Sequence, residues 1–127
     1  LISKNKKIDI YNYGKMKRDF TYVDDLVYSI LKIMNKLNND EKDKPYNKIF
    51  NIGNNSPSTL IKYINLIEKF LKKKAKKNKL KLQKGDVKKT YANNGELYKY
   101  IRYRPNTKIE KGISIFVDWY KNYFAQK

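Results

Sequence analysis

Along this chain the spacing of apolar residues switches repeatedly between the period of a strand and that of a helix. That alternation constrains the fold more than any single motif. Lys7 to Asn12 alternates polar and apolar positions through Ile8 and Ile10, which predicts a short strand, and Asn12-Tyr13-Gly14-Lys15 is turn chemistry. Thr21 is placed to cap a helix, with Asp24 three residues on in capping-box position. Val23, Leu26, Val27, Ile30, Met34 and Leu37 then follow helical spacing. Asn38 to Pro45 reads as a polar loop, and the brief apolar run Lys48 to Gly53 predicts a second strand. Ser56 or Ser58 would cap the next helix, which carries Leu60, Ile61, Ile64, Ile67 and Leu71. Lys79 to Gln83 alternates again, Lys84-Gly85-Asp86-Val87 forms a tight turn, and a short helix is predicted over Asn94 to Tyr100. Pro105-Asn106-Thr107 breaks the chain, leaving Thr107 to cap a last helix with Ile109, Ile113, Phe116, Val117, Tyr120 and Phe124. Strand and helix in turn place the chain in the α/β class. There is no internal repeat and no linker long enough to split it. The sheet is incomplete, so a partial domain of this kind would leave strand edges and helix faces uncovered.

Composition excludes several chemistries. The chain has no cysteine, hence no disulfide, thiolate metal site or cysteine nucleophile. It has no histidine, hence no Ser-His-Asp triad, histidine metal site or histidine general base, and no metal site is expected. No apolar run approaches the length that spans a membrane, no secretory segment opens the chain, and the expected location is the cytoplasm. A net charge of +18 suggests a basic nucleic-acid-binding module, since clustered cations release counterions from phosphates. Against that, only Arg18, Arg102 and Arg104 are arginine, the residue that reads phosphate and guanine bidentately. Lys, Asn, Ile and Tyr dominate, as an AT-rich genome would produce on any fold. The densest basic run, Lys72 to Lys79, falls where a helix should end, and lysines favour that end of the helix dipole. Nucleic acid is therefore the alternative partner and not the leading one.

Read singly, the polar residues are ambiguous. Arg18 follows a glycine-containing turn and precedes a helix, so it is either a bidentate phosphate grip or an ordinary ion-pairing arginine. Asp24 and Asp25 are adjacent in a helix and point apart, which favours dipole-stabilised acids over a catalytic pair. Asp86 suits either a ribose hydroxyl or an Asx turn, and Trp119 suits a core. No G-x-G-x-x-G phosphate loop exists.

Their order is more specific. The run Asp9-Ile10-Tyr11-Asn12-Tyr13-Gly14-Lys15-Met16-Lys17-Arg18-Asp19-Phe20-Thr21-Tyr22-Val23-Asp24-Asp25 resembles a signature stretch of nucleotide-sugar epimerases and dehydratases. These form the extended branch of the short-chain dehydrogenase/reductase superfamily. Tyr46 to Pro57, with Phe50-Asn51-Ile52-Gly53-Asn54, is similar to the family's next block, and Gln83 to Val87 with Thr90-Tyr91-Ala92 to a third. Tyr103-Arg104-Pro105 with Thr107, Ile109, Glu110, Gly112, Phe116, Trp119 and Tyr120 resembles its C-terminal helix. The resemblance leans to the UDP-glucuronate 4-epimerases, isomerases that include capsule-polysaccharide biosynthesis types.

The resemblance implies that residues 1–127 are the C-terminal, nucleotide-sugar-binding portion of an extended Rossmann-type epimerase. The NAD-binding Rossmann part and the catalytic Tyr-x-x-x-Lys would then be missing upstream, as the opening on Leu1 also suggests. Tyr13 to Lys17 and Tyr28 to Lys32 satisfy the bare Tyr-x-x-x-Lys spacing, but they lie in the sugar-binding block and on its packing helix, so neither is assigned a catalytic role. In the intact family, tyrosine takes the C4 hydroxyl proton of the sugar, NAD takes the hydride, and hydride returns to the other face. This chain would supply grip on the UDP portion. The resemblance gives Asp9, Ile10 and Tyr11 a uracil contact largely through backbone, Arg18 the diphosphate and Asp86 a ribose hydroxyl. Gln83 falls where many relatives place an arginine, with Lys84 as the candidate to restore the charge. Asn93 replaces a usual aspartate before the short helix. NAD, a UDP-sugar, a missing N-terminal half and a homodimer are the implied cofactor and partners. The isolated chain would be inactive. A related nucleotide-sugar dehydratase or decarboxylase remains the alternative within the class.

Overall fold

In this computed structural model, residues 1–37 and 47–125 are described. The predicted loop Asn38–Pro45 lies outside the described residues. The elements are β1 (Lys7–Ile10), β2 (Lys17–Arg18), α1 (Val23–Leu37), β3 (Ser58–Thr59), α2 (Leu60–Leu71), β4 (Lys76–Lys79), α3 (Gly95–Ile101) and α4 (Ile109–Ala125). They form two compact units. The first contains Leu1–Arg18, Pro57–Thr90 and Lys108–Lys127, and the second Asp19–Ser56 and Tyr91–Thr107.

In the first unit, β1 and β4 run parallel with Lys7 opposite Lys76 and Ile10 opposite Lys79. The antiparallel pair β2–β3 is only two residues long, with Arg18 opposite Ser58. Such short ladders carry little stability alone. The unit is held by the apolar faces of its helices: Ile64 of α2 and Ile113 and Val117 of α4 are buried, as are Ile2, Ile10 and Met16. Lys62 on α2 pairs with Glu110 on α4 at 2.6 Å, and Lys121 of α4 donates to the Phe70 carbonyl in the last turn of α2. The cap of α2 is Thr59, whose side chain accepts from Lys62 N at 3.1 Å. It lies one position beyond Ser58; both residues belong to the β2–β3 ladder, and Thr59, directly before the helix, is the one whose hydroxyl reaches Lys62 N. Helix α2 stops at Lys72, a left-handed residue (φ 54°) whose N–H closes back on the carbonyls of Glu68 and Lys69. Beyond that cap, part of the lysine run becomes β4. The last strand thus starts three residues before the predicted Lys79 to Gln83. Its sequence Lys-Lys-Asn-Lys has no apolar alternation to reveal it.

The second unit is built on a core of Leu97, Tyr100 and Ile101 from α3, against which Ile33 of α1, Phe50, Ile52 and Tyr103 pack. Phe50 stacks on Tyr100 with ring centroids 5.0 Å apart. The run Lys48 to Gly53, predicted as a strand, pairs with no described residue. Its apolar pattern records the burial of Phe50 and Ile52 rather than ladder formation. Asn93 does serve the start of α3, its side-chain oxygen accepting from Gly95 N at 3.0 Å.

Candidate functional site

All six residues assigned to nucleotide binding from sequence lie in the first unit: Asp9 and Ile10 are the last residues of β1, Tyr11 follows it, and Arg18, Gln83 and Asp86 lie on the segments beyond β1 and β4. In open α/β sheets, ligands sit beyond the C-terminal ends of the strands. β1 finishes at Ile10 and β4 at Lys79; the chain then leaves through the Tyr11–Gly14 turn and through residues 80–87. Two backbone bonds stitch these exits together, Leu80 N to Ile10 O at 2.9 Å and Tyr13 N to Leu80 O at 3.0 Å. Gly14 makes the turn possible. Its φ is +82°, and a Cβ there would run into Ile61. The second exit tightens at Gln83, whose carbonyl accepts from Asp86 N at 3.3 Å across Gly85 (φ +82°).

That turn aims Asp86 at Arg18. The Arg18 guanidinium donates to Asp86 Oδ1 at 2.7 Å and to the Lys17 carbonyl at 3.0 Å. The two residues are 68 positions apart, and their side chains are 25% and 30% exposed, so the pair is formed but still reachable. Two of the five guanidinium N–H bonds are used, and three remain for a ligand. The backbone beneath is pinned by Lys17 N to Lys88 O at 3.0 Å and Thr90 N to Lys17 O at 3.2 Å. Lysines 17, 84, 88 and 89 therefore share the segments that carry the pair, giving a positive surround suited to a phosphate.

The other assigned residues are less alike. Ile10 is completely buried, so its side chain cannot meet a ligand and only its backbone is available. Asp9 is exposed and accepts from Asn78 Nδ2 at 2.7 Å across the β1–β4 ladder. Tyr11 is half-buried at the first position of the turn, and Gln83 is exposed beside Lys84. Two cavities lie elsewhere in this unit. One of about 300 Å³ is apolar and is lined by Leu1, Ile8, Ile67, Leu71, Phe116 and Tyr120 among others. One of about 600 Å³ is lysine-lined around Glu68.

Sequence reasoning missed three acids that the structure uses. Asp19 accepts from the backbone N–H groups of Asn55, Ser56 and Ala92 at 3.0 to 3.1 Å. Asp25 is 7% exposed and takes Tyr103 Oη at 2.8 Å, Asn106 N at 3.2 Å and Thr107 N at 2.9 Å. Burial alone would raise the Asp25 carboxyl, but the hydrogen bonds from Thr107, Tyr103 and Asn106 outweigh it and hold the group below the usual carboxylate range. Burial, followed by the hydrogen bond to Asp25, pushes the Tyr103 hydroxyl up to about 12. Glu68 pairs with Lys77 at 2.8 Å and accepts from Ala75 N at 2.9 Å; the Lys77 bond leads in lowering its pKa against a smaller opposing effect of burial. Each of these contacts joins residues that no local pattern connects. Asp24, by contrast, is exposed, so the adjacent acids do not act as a pair.

Comparison with known proteins places this arrangement in a class. The model of the NAD dependent epimerase/dehydratase family matches residues 1–53. Over essentially its whole length the chain is similar to nucleotide-sugar epimerases, and its mixed α/β fold with partial sheets resembles part of the Rossmann-type epimerase fold. Within the class, Protein CapI of Staphylococcus aureus is 43% identical over 98% of this chain and 41% of its own length. UDP-glucuronate 4-epimerase 2 of Arabidopsis thaliana is 35% identical over 98% of this chain and 31% of its own. The crystal structure of UDP-glucuronic acid 4-epimerase from Bacillus cereus, in complex with UDP-glucuronic acid and NAD, superposes with a TM-score of 0.79 at 27% identity, over 94% of this chain and 37% of that one. The chain thus spans about two fifths or less of the length of these relatives.

The solved Bacillus cereus relative is a complex with NAD, and the glycines of this chain do not fit that dinucleotide. Gly14 and Gly53 are consumed by close internal approach, to Ile61 and to Ala92 respectively. Gly85 sits in an open turn, and Gly95 begins a helix of only seven residues. Among the described residues, no strand leads through a glycine-rich loop into a helix N-terminus that could cradle a dinucleotide.

Proposed function

We propose that this chain is the C-terminal, nucleotide-sugar-binding portion of a UDP-glucuronate 4-epimerase-like protein of the cytoplasm, working in polysaccharide biosynthesis. In this reading the first unit grips the UDP moiety, and the chain has no turnover alone. The observation that carries the reading is the Arg18–Asp86 pair, formed between the segments that follow β1 and β4. A guanidinium fixed at two points and still carrying three N–H bonds offers a diphosphate a charge-assisted, directional grip. Asp86 beside it accepts a ribose hydroxyl, the backbone of Asp9, Ile10 and Tyr11 forms the wall for the base, and Lys84 supplies the charge that Gln83 lacks. Binding and orientation of the nucleotide hold the sugar for chemistry performed by groups on the remaining polypeptide. The whole protein would be a homodimer.

Calorimetry with UDP and with UDP-glucuronate tests this. Both ligands are expected to bind the isolated chain. Arg18→Ala is expected to weaken binding roughly 10-fold to 100-fold, the value of a lost hydrogen bond to a charged group. Equal binding by the parent and Arg18→Ala would remove Arg18 from the site. Epimerisation by the isolated chain would overturn the division of labour. The basic-module alternative predicts instead oligonucleotide binding that falls steeply with salt.

A further inference from the structure

The excess positive charge is not shared between the two units. The first holds 22 of the 30 basic residues and 5 of the 12 acidic ones, a net +17; the second holds 8 and 7, a net +1. A compositional bias toward lysine would load both alike. Within the first unit the crowding is sharper still: Lys69, Lys72, Lys73, Lys74, Lys76 and Lys77 are six exposed lysines in nine positions. All but Lys76 line the cavity of about 600 Å³ around Glu68. That carboxylate balances one charge of the five. Its side chain is only 5% exposed, and it is engaged by Lys77 at 2.8 Å and by Ala75 N at 2.9 Å. Lys73 donates to the Ser3 carbonyl at 2.7 Å, which brings Lys4 beside the run. Fold stability does not account for this crowding. The helix dipole favours Lys69 and Lys72 at the end of α2, but it fades within a turn, and Lys73 onward lie beyond the helix. Where the run becomes β4, Lys76 stands opposite Lys7 in the ladder. Like charges facing each other weaken such a pair.

We propose that this lysine patch docks the chain on the surface of an anionic lipid bilayer. No helix among the described residues is long and apolar enough to cross a membrane, and the contact proposed is with the headgroups alone. Lysine is a compact, strongly hydrated point charge, and adsorption to a charged plane asks only for a high density of such charges. A nucleic acid fits less well. Its recognition draws on arginine forks and on aromatic rings that stack with bases. Residues 72–79 contain neither an arginine nor an aromatic ring. A second copy is repelled, since each carries +18. The patch is distinct from the residues assigned to the nucleotide. It lies where α2 ends and where β1 and β4 begin, whereas Arg18 and Asp86 lie on the segments that follow those strands.

Co-sedimentation of the full chain with vesicles tests this. Vesicles of phosphatidylcholine with about 30% phosphatidylglycerol are expected to bind it at physiological salt, and vesicles of phosphatidylcholine alone are not. About 1 M salt should release the chain, because screening then shortens the reach of each charge to about 3 Å. A lysine near such a surface adds about fivefold to partitioning, so Lys72→Gln, Lys74→Gln and Lys76→Gln together should weaken binding roughly 100-fold. Lys36→Gln, Lys48→Gln and Lys99→Gln remove the same charge from the second unit and should weaken it no more than about threefold. All six side chains are exposed, so circular dichroism of both triple variants should match the parent. The composition and salt arms use the parent alone and stand whether or not a variant folds. Four results would each overturn the proposal. The first is binding that is absent, or that ignores the charge of the vesicle. The second is an equal loss in the two triple variants, which would assign the effect to net charge and not to the patch. The third is release from vesicles by millimolar inorganic phosphate at constant ionic strength, the mark of a site for a free anion. The fourth is tighter binding to a duplex oligonucleotide than to the anionic vesicles at the same salt.

Discussion

Replacing Asp25 by asparagine changes one oxygen to an amide and leaves the shape of the side chain intact, so it isolates what the carboxylate contributes. In the folded chain, Oδ1 accepts from Tyr103 Oη, and Oδ2 accepts from the N–H groups of Asn106 and Thr107. Asparagine can keep its oxygen on the two backbone donors and turn its amide toward Tyr103, whose hydroxyl can rotate to accept. The charge assistance of three bonds is then lost, but no donor is orphaned. A hydrogen bond to a charged group is worth about 1 kcal/mol more than a neutral one; with two backbone bonds weakened and the third roughly exchanged, the expected cost is about 2 kcal/mol. Asp25→Ala strands all three donors and should cost about 3–4 kcal/mol. For a chain of this size, 2 kcal/mol corresponds to a fall in Tm on the order of 8 °C, read by circular dichroism at 222 nm. The pH dependence supplies a second readout. The folded pKa of Asp25 lies below its unfolded value of about 3.9. Its stabilisation is therefore fully present above that value and is lost as the pH falls through the lower, folded pKa. The gap between parent and Asp25→Asn should be constant from pH 6 to 8 and close at strongly acidic pH. Tyr103 acts at the other end. Its proton is held to about 12 when folded and released near 10 when unfolded, so stability should fall as the pH rises between those values. Melting of Asp25→Asn within 1 °C of the parent at pH 7, or a gap that persists unchanged at pH 2, would refute the reasoning.

Two further outcomes follow from the geometry. Gly14 and Gly85 share a φ of +82°, but a Cβ at Gly14 meets Ile61 while one at Gly85 meets nothing within 4 Å. Alanine at 85 should cost about 1 kcal/mol of backbone strain, and alanine at 14 roughly 2–4 kcal/mol because packing is lost as well; urea unfolding of the two variants checks the order. Glu68→Gln removes the charge that holds Lys77 and weakens the bond from Ala75 N. About 1–3 kcal/mol should be lost at pH 7 and progressively less as the pH falls below the unfolded carboxyl value of about 4.3 and on through the lower, folded one; paired urea titrations at pH 7 and pH 3 measure the difference.

The helices were legible because their stabilisation is local. α1 and α2 follow from apolar spacing alone, and the left-handed Lys72 ends α2 where the lysine run begins. Helix α4 was likewise expected from its spacing. The strands divide by whether pairing leaves a trace in side-chain character. β1 has Ile8 and Ile10 to show, whereas β4 is Lys-Lys-Asn-Lys and exists because its backbone meets β1. The run 48–53 errs the other way, apolar through burial and without a ladder. The candidate site shows the same division. Family resemblance supplied the six residues, but no spacing rule could bring Arg18 to Asp86 across 68 positions. Nor could one find Asp19, whose three amide partners come from two distant stretches of chain.

With 30 basic residues and 12 acidic ones, cations in this chain are abundant and carboxylates scarce. A lysine lost from the surface removes one of many like charges and relieves repulsion. A buried or paired carboxylate is the point where several donors converge. Asp19 and Asp25 each collect backbone N–H groups, and Glu68 collects lysines and a backbone N–H. Asp86 differs from these three. Among the described residues its side chain accepts from no backbone N–H and holds a single arginine, and both partners remain partly open to solvent. A carboxylate used only to stabilise the fold gains most among several donors, where Asp25 and Glu68 are buried and Asp19 half-buried. An acid that holds one guanidinium between the segments following two parallel strands, with three N–H bonds left unused, gains little as a surface ion pair. On the proposed nucleotide-binding reading, its position is accounted for by what Arg18 can then do with an anion, and that reading rests on one arginine rather than on the lysine-rich surface.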